Sequence, residues 1–99
     1  MVIMADVTDE KIKRALVALA IEKALLDIGK TTFEEVGKTL YSRYQVYFPD
    51  CYEHPEFLNA VLKDLYGKSF STIVDSIRKQ LGEFASKKPI AEFLVKISE

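Results

Sequence analysis

The side chains best suited to chemistry lie together in one short polar stretch, Asp50–Glu56, which reads D-C-Y-E-H-P-E. Cys51 and His54 could bind a metal ion with help from the neighbouring carboxylates. A structural zinc site, however, uses four Cys or His ligands, and the chain holds one cysteine and one histidine. The stretch is equally typical of a polar loop that leads into a helix beginning at Pro55. We expect no metal and no cofactor, and Cys51 and His54 remain the candidates if a metal does bind.

Catalysis by the Cys51 thiol with His54 as its base is disfavoured. Such pairs usually come from segments that are distant in sequence, and a third group orients the base. The chain has no Gly-rich phosphate loop, no nucleophile elbow and no H-E-x-x-H motif. An active site needs convergent titratable groups, and the sequence gives no sign of them. We therefore expect a protein that is not an enzyme.

Residues 62–81, LKDLYGKSFSTIVDSIRKQL, have the outline of a helix-turn-helix. Gly67 would form the turn, and Arg78 and Lys79 could contact phosphates. The motif normally has an apolar residue just after the glycine, where this chain has Lys68. The formal net charge of −1 also gives no general attraction for nucleic acid. Nucleic-acid binding is therefore an alternative function, and the simpler interpretation is a hairpin of two helices.

Aromatic side chains crowd into residues 41–57. They are Tyr41, Tyr44, Tyr47, Phe48, Tyr52 and Phe57. A tyrosine combines a large contact area with a polar tip, so this region could line a pocket for a small ligand. Apolar side chains at helical spacing more often form a core. A small-ligand sensor is therefore a second alternative function.

Hydrophobic periodicity predicts the elements that position these residues, because apolar side chains recur at helical spacing between glycines and prolines. The prediction is an all-α fold, a compact bundle of about five short helices. They cover approximately residues 9–28, 32–47, 55–66, 70–85 and 89–98, within a single helical domain over residues 1–99. Residues 89–98 could also contain a strand, but no partner strand is visible, so a helix is favoured.

Local signals set the predicted helix ends. Gly29 should end the first helix in the left-handed conformation. The second helix could begin with a capping box formed by Thr31 and Glu34, or by Thr32 and Glu35 one residue later. Ser69 is placed to cap the fourth helix. The fourth helix should carry Phe84 on its apolar face.

The first predicted helix has two apolar stripes on nearly opposite faces. One stripe consists of Ile12, Leu16, Leu19 and Leu26. The other consists of Val17, Ile21, Leu25 and Ile28. A helix that is apolar on two faces must be covered on both, so this helix is either the central helix of the domain or part of a subunit interface. Because large exposed apolar patches are uncommon on soluble monomers, we predict that the second stripe is an interface. The partner would be a second copy of the chain, giving a homodimer, or another protein.

The composition excludes several classes of protein. With 48% hydrophobic and 29% charged residues, the 99-residue chain should fold. The 14 basic and 15 acidic residues nearly balance, so no strong field attracts anionic membranes. The longest apolar run, Ala15–Ile21, is far shorter than the ~20 residues of a membrane span. With a lone cysteine and no signal peptide, we expect a cytoplasmic protein without a membrane partner.

The stretch DCYEHPEFLNAVLKDLYGKSFSTIVDSI, residues 50–77, resembles a group of small uncharacterised archaeal helical domains. These domains occur alone or as output domains beside signalling receiver domains. The resemblance carries no catalytic motif, and it implies an interaction or output role in an archaeal cytoplasm. Together with the two-faced first helix, it leads to the prediction of a non-catalytic protein–protein interaction or dimerisation module, with a signalling output role implied by the resemblance.

Overall fold

Five α-helices joined by short 3-10 segments form the chain. The computed structural model describes the backbone of residues 2–99 and the side chains of residues 10–99. The helices are α1 (Val2–Ile28), α2 (Lys30–Tyr44), α3 (Pro55–Tyr66), α4 (Phe70–Leu81) and α5 (Lys88–Ser98). The 3-10 segments are Phe48–Tyr52, Gly67–Ser69 and Gly82–Ser86. No strand occurs among residues 2–99, so the predicted all-α bundle is confirmed, including a helix at the C-terminal end.

The longest element of the bundle is α1, and three other elements pack against it. It is 27 residues long, which corresponds to roughly 40 Å, and the longest dimension of the molecule is 44 Å. The 3-10 segment Phe48–Tyr52, α2 and α4 all pack against α1. On the other side, α3 packs against α2 and α5, and α5 contacts α4. None of the helices in the part of the chain described is long and apolar enough to cross a membrane.

All five helices contribute to one hydrophobic core. The apolar faces predicted for α4 and α5 point into it, with Ile73, Val74, Ile77 and Leu81 from the former and Ile90, Phe93, Leu94 and Ile97 from the latter. No polar or charged residue among those with described side chains is buried. The core is therefore stabilised by apolar burial without the cost of desolvating unpaired polar groups.

Two helices end earlier than predicted. The second helix ends at Tyr44 rather than at residue 47, because Gln45 takes a left-handed conformation (φ 58°) and donates its backbone N–H to the Tyr41 carbonyl. The fourth ends at Leu81 rather than at residue 85, because Gly82 takes a positive φ of 56°. Phe84 consequently lies on a 3-10 segment and is 38% exposed, so its predicted place on the apolar face of the helix is wrong.

The predicted helix starts also need correction. The first helix begins at Val2 rather than at residue 9, and residues 2–8 contain no proline or glycine that would stop it. Gly29 is extended (φ 165°) rather than left-handed, and α2 begins at the next residue. Thr31 and Thr32 therefore lie inside the first turn of α2, where neither predicted capping box can form. Ser69 does occupy the cap position of α4, but its side chain makes no capping hydrogen bond.

Candidate interaction surface

The stripe of α1 that was predicted as an interface mostly faces the core. Val17, Ile21 and Leu25 are each 0% exposed. Their assignment to an interface is wrong, because α2, α4 and Phe48–Tyr52 already cover this face of the helix. Ile28, at the last turn of α1, is the one member of the stripe that stays half-exposed.

The opposite stripe of α1 is the face left open. Ile12 and Leu19 are each 51% exposed and Leu26 is 48% exposed, while Leu16 is partly covered. With Lys23 between Leu19 and Leu26, these positions follow each other at alternating steps of four and three residues. That is the spacing of a helix that packs along another helix. We call Ile12, Leu16, Leu19, Lys23 and Leu26 the outer stripe.

The sequence showed both stripes of α1, but it did not show which of them is buried. The signal that could have separated them lies in the alanines beside the core stripe. Ala18, Ala20 and Ala24 are nearly or fully buried, and such small side chains let neighbouring helices approach α1 closely. The outer stripe has bulky side chains and a lysine instead.

A shallow groove runs beside the outer stripe. It has a volume of about 140 Å³ and lies between α1 and the end of α4. Leu16, Leu19, Ala20 and Lys23 form one wall, and Gln80, Leu81 and Phe84 form the other. Gln80 donates from Nε2 to Asp27 Oδ2 at 3.0 Å, which ties the end of α4 to α1. The chain leaves α4 at the Gly82 turn, and the Phe84 ring lies at the edge of this groove. We call this ring the Phe84 shoulder.

The structure places Cys51 and His54 in different surroundings. Cys51 is fully buried, and its thiol faces the Tyr47 carbonyl with Sγ 3.9 Å from the oxygen. Burial, with the nearby charges of Asp50 and Glu56, raises the pKa of this thiol to about 12. His54 is exposed and stacks on the Phe57 ring at 4.8 Å. Among the residues with described side chains, no group of three or more His, Cys, Asp and Glu could hold a metal ion.

The carboxylates of the same polar stretch bind Arg14 of α1. Arg14 Nη2 lies 2.6 Å from Asp50 Oδ1, and its Nε lies 3.0 Å from Glu53 Oε1. The hydrogen bond that Arg14 donates to Glu53 is the main cause of the raised pKa of Arg14. Asp50 Oδ2 also accepts the backbone N–H of Tyr47 at 2.9 Å. The carboxylates therefore hold the 3-10 segment on α1.

The Tyr-rich region is divided between core packing and surface. Tyr44 stacks on Phe57 with ring centroids 4.1 Å apart. Tyr41 and Tyr47 contact each other at the surface with their rings tilted by 33°. Of the tyrosines in this region, Tyr52 lines an open cleft of about 330 Å³ between the 3-10 segment, α3 and α5. Burial and the charge of Glu10 raise the pKa of Tyr52, which donates to Glu10 at 3.4 Å. The cleft is also lined by Glu53, Glu56, Glu92 and Lys96.

The predicted helix-turn-helix corresponds to α3, the 3-10 segment Gly67–Ser69 and α4. Arg78 and Lys79 are both exposed on α4, where a recognition helix would need them. Arg78 Nη1, however, lies 3.0 Å from Asp75 Oδ1 one turn earlier on the same helix. A carboxylate at this position offsets the positive charge and would repel a phosphate backbone.

Comparison of the chain with protein-family models, with curated proteins and with solved structures gives no match in any of the three.

Proposed function

We propose that this protein is a non-catalytic protein–protein interaction module that binds its partner through the outer stripe of α1 and the Phe84 shoulder. One observation carries the proposal. The longest helix of the bundle presents Ile12, Leu19 and Leu26 about half-exposed in a row.

The energetics favour a covered state of this surface. Full burial of an aliphatic side chain of this size contributes roughly 1.5–3 kcal/mol, so covering the exposed half of each should contribute about 1 kcal/mol. Single exposed apolar residues are common on folded proteins and need no explanation. A row of them along one helix, next to an aromatic ring at 38% exposure, is more typical of a binding surface.

The two alternative functions have less support. Nucleic-acid binding through Arg78 and Lys79 is opposed by the Arg78–Asp75 ion pair and by the formal net charge of −1. A ligand sensor in the Tyr-rich region would depend on the open cleft beside Tyr52, because Tyr44 packs on Phe57. An output role in signalling, implied by the resemblance of residues 50–77, agrees with an interaction module and remains part of the proposal.

Site-specific photo-crosslinking tests the proposal without assuming a partner. A photoreactive phenylalanine derivative replaces Leu19 in the full chain, which is expressed in the cells of its source. The matched control places the same group at Val95, which is 61% exposed on α5 and outside the outer stripe. We expect cross-links to a protein from position 19 and few from position 95. Equal cross-linking from both positions, or none from position 19, would contradict the proposal.

A further inference from the structure

We infer that the partner on the outer stripe is a second copy of this chain, with the two α1 helices packed antiparallel about a two-fold axis near Leu16 and Leu19. The inference rests on the proposed function and names the partner of the same surface. Three features support it: the spacing of the stripe, the charges along its edge and its size.

The spacing favours a helix as the partner. Ile12, Leu16, Leu19, Lys23 and Leu26 form a continuous seam at steps of four and three residues. Such a seam accepts side chains from a facing helix with the same repeat, because each side chain fits a hole between four others. A two-fold dimer satisfies this requirement with one surface, since the same patch serves both chains.

The charges select the antiparallel direction. Lys11 and Glu22 lie on the same flank of the outer stripe, one near each end. In an antiparallel pair each flank meets the same flank of the other helix, so Lys11 lies opposite the partner's Glu22, and the pair occurs twice. In a parallel pair opposite flanks meet, and Glu22 would face the partner's Asp27. Neither Lys11 nor Glu22 forms an ion pair with another residue in the part of the chain described.

The same antiparallel arrangement also accommodates Lys23, the polar residue of the outer stripe. The midpoint between Lys11 and Glu22 falls between Leu16 and Leu19, so these leucines pack across the axis. Lys23 then lies within two residues, roughly 3 Å along the helix, of the position opposite the partner's Ile12. A lysine can cover an apolar side chain with its aliphatic stem while its ammonium group stays in water.

The size of the surface indicates a weak, reversible dimer. The outer stripe spans roughly 22 Å of helix, and the Phe84 shoulder widens it on one side. A contact of this extent falls at the low end of specific interfaces, below about 1,200 Å² in total. We therefore expect dimers to accumulate only as the protein concentration rises.

A charge-reversal experiment on the full chain tests the arrangement. Lys11→Glu and Glu22→Lys are made singly and together, and the dimer dissociation constant is measured by sedimentation equilibrium at low salt. We expect each single reversal to weaken the dimer by about five- to tenfold, because two attractive pairs become repulsive. The double variant should regain wild-type affinity within about twofold. Lys38→Glu, which changes an exposed charge on α2, should leave the dimer unchanged.

The possible results separate this inference from the proposed function. A wild-type chain that stays monomeric at every concentration, with cross-links from position 19 reaching a different protein, would overturn the second copy and leave the interaction module standing. A wild-type dimer that the double reversal does not restore would overturn the antiparallel arrangement. A dimer that Val95→Asp disrupts and Leu19→Asp does not would overturn both this inference and the proposed function.

Discussion

At the scale of single residues, Arg14 is the side chain that attaches the polar stretch after α2 to the central helix. Its guanidinium pairs with both Asp50 and Glu53 across the fold. We predict that Arg14→Ala lowers the free energy of unfolding by about 1 kcal/mol, measured by urea denaturation. Arg14→Lys should restore little of this, because an ammonium group cannot hold two carboxylates in the fixed geometry of a guanidinium.

The control for Arg14 is Arg78, which pairs with Asp75 one turn away on its own helix. Arg78→Ala should cost less than about 0.5 kcal/mol, since local pairs on a helix surface contribute little. Equal losses from Arg14→Ala and Arg78→Ala would show that the Arg14 contact with the 3-10 segment contributes no more to the free energy of unfolding than a local ion pair does.

Cys51 is the residue whose burial has a measurable pH signature. Folding raises the pKa of its thiol from 9.0 to about 12, mainly because the thiol is buried. Between these values the folded chain keeps a proton that the unfolded chain releases. The stability contributed by this group is thus complete below pH 9 and is lost as the pH rises towards about 12.

We therefore predict that the free energy of unfolding of the wild type falls faster than that of Cys51→Ala above pH 9. The difference should grow by roughly 1.4 kcal/mol per pH unit, as expected for one proton. Tyrosines with raised pKa values, such as Tyr52 and Tyr66, titrate in both proteins and cancel in the comparison. Denaturant titrations at a series of pH values provide the measurement, and parallel curves for the two proteins would refute the prediction.

At the scale of elements, the two faces of α1 should respond differently to the same substitution. Leu25 is 0% exposed and its neighbour Leu26 is 48% exposed. We predict that Leu25→Ala costs about 2–5 kcal/mol of unfolding free energy, because it removes a core side chain and leaves a cavity. Leu26→Ala should cost under about 1 kcal/mol at protein concentrations where the chain is monomeric. Similar costs at the two positions would mean that the burial described for α1 is wrong.

The end of α4 depends on a glycine conformation. Gly82 has φ 56° and ψ −126°, a region that a residue with a Cβ rarely adopts. We predict that Gly82→Ala lowers the free energy of unfolding by about 1–3 kcal/mol. Gly29→Ala is the matched control: the extended backbone of Gly29 suits any residue, and an added Cβ would meet nothing within 4 Å. This control should be neutral or slightly stabilising in thermal unfolding, and equal losses from both substitutions would contradict the prediction.

For a helix with one apolar face, the sequence was sufficient to predict which side chains are buried. For α1, which has two apolar faces, it was not. The stripes of α4 and α5 predict their buried residues, because each leaves one arrangement that covers its apolar side chains. In α1 both stripes satisfy the same rule, and contacts with α2 and α4 decide which is buried. Helix ends were missed where one backbone conformation, such as that of Gln45, sets the boundary. A left-handed glutamine has no sequence signature.

At the scale of the whole molecule, the expected dimer is weak because its driving force is small. Three half-exposed side chains on each copy should together contribute roughly 6 kcal/mol when covered. Association costs about 4–15 kcal/mol in lost translational and rotational freedom. With a formal net charge of −1, long-range repulsion between copies is slight. The chain should therefore exchange between monomer and dimer as its concentration changes.

This exchange should appear in the stability of the whole chain. A dimer that forms only between folded chains raises the thermal unfolding midpoint by mass action. We predict a rise of several degrees for the wild type between about 10 μM and about 1 mM, since 1 kcal/mol shifts a domain of this size by about 4–8 °C. Leu19→Asp should show a midpoint independent of concentration, whereas Val95→Asp should keep the wild-type dependence. At the lowest concentration all three proteins should unfold at nearly the same temperature, because neither residue is part of the buried core. A midpoint for Leu19→Asp that still rises with concentration would place the self-association on another surface.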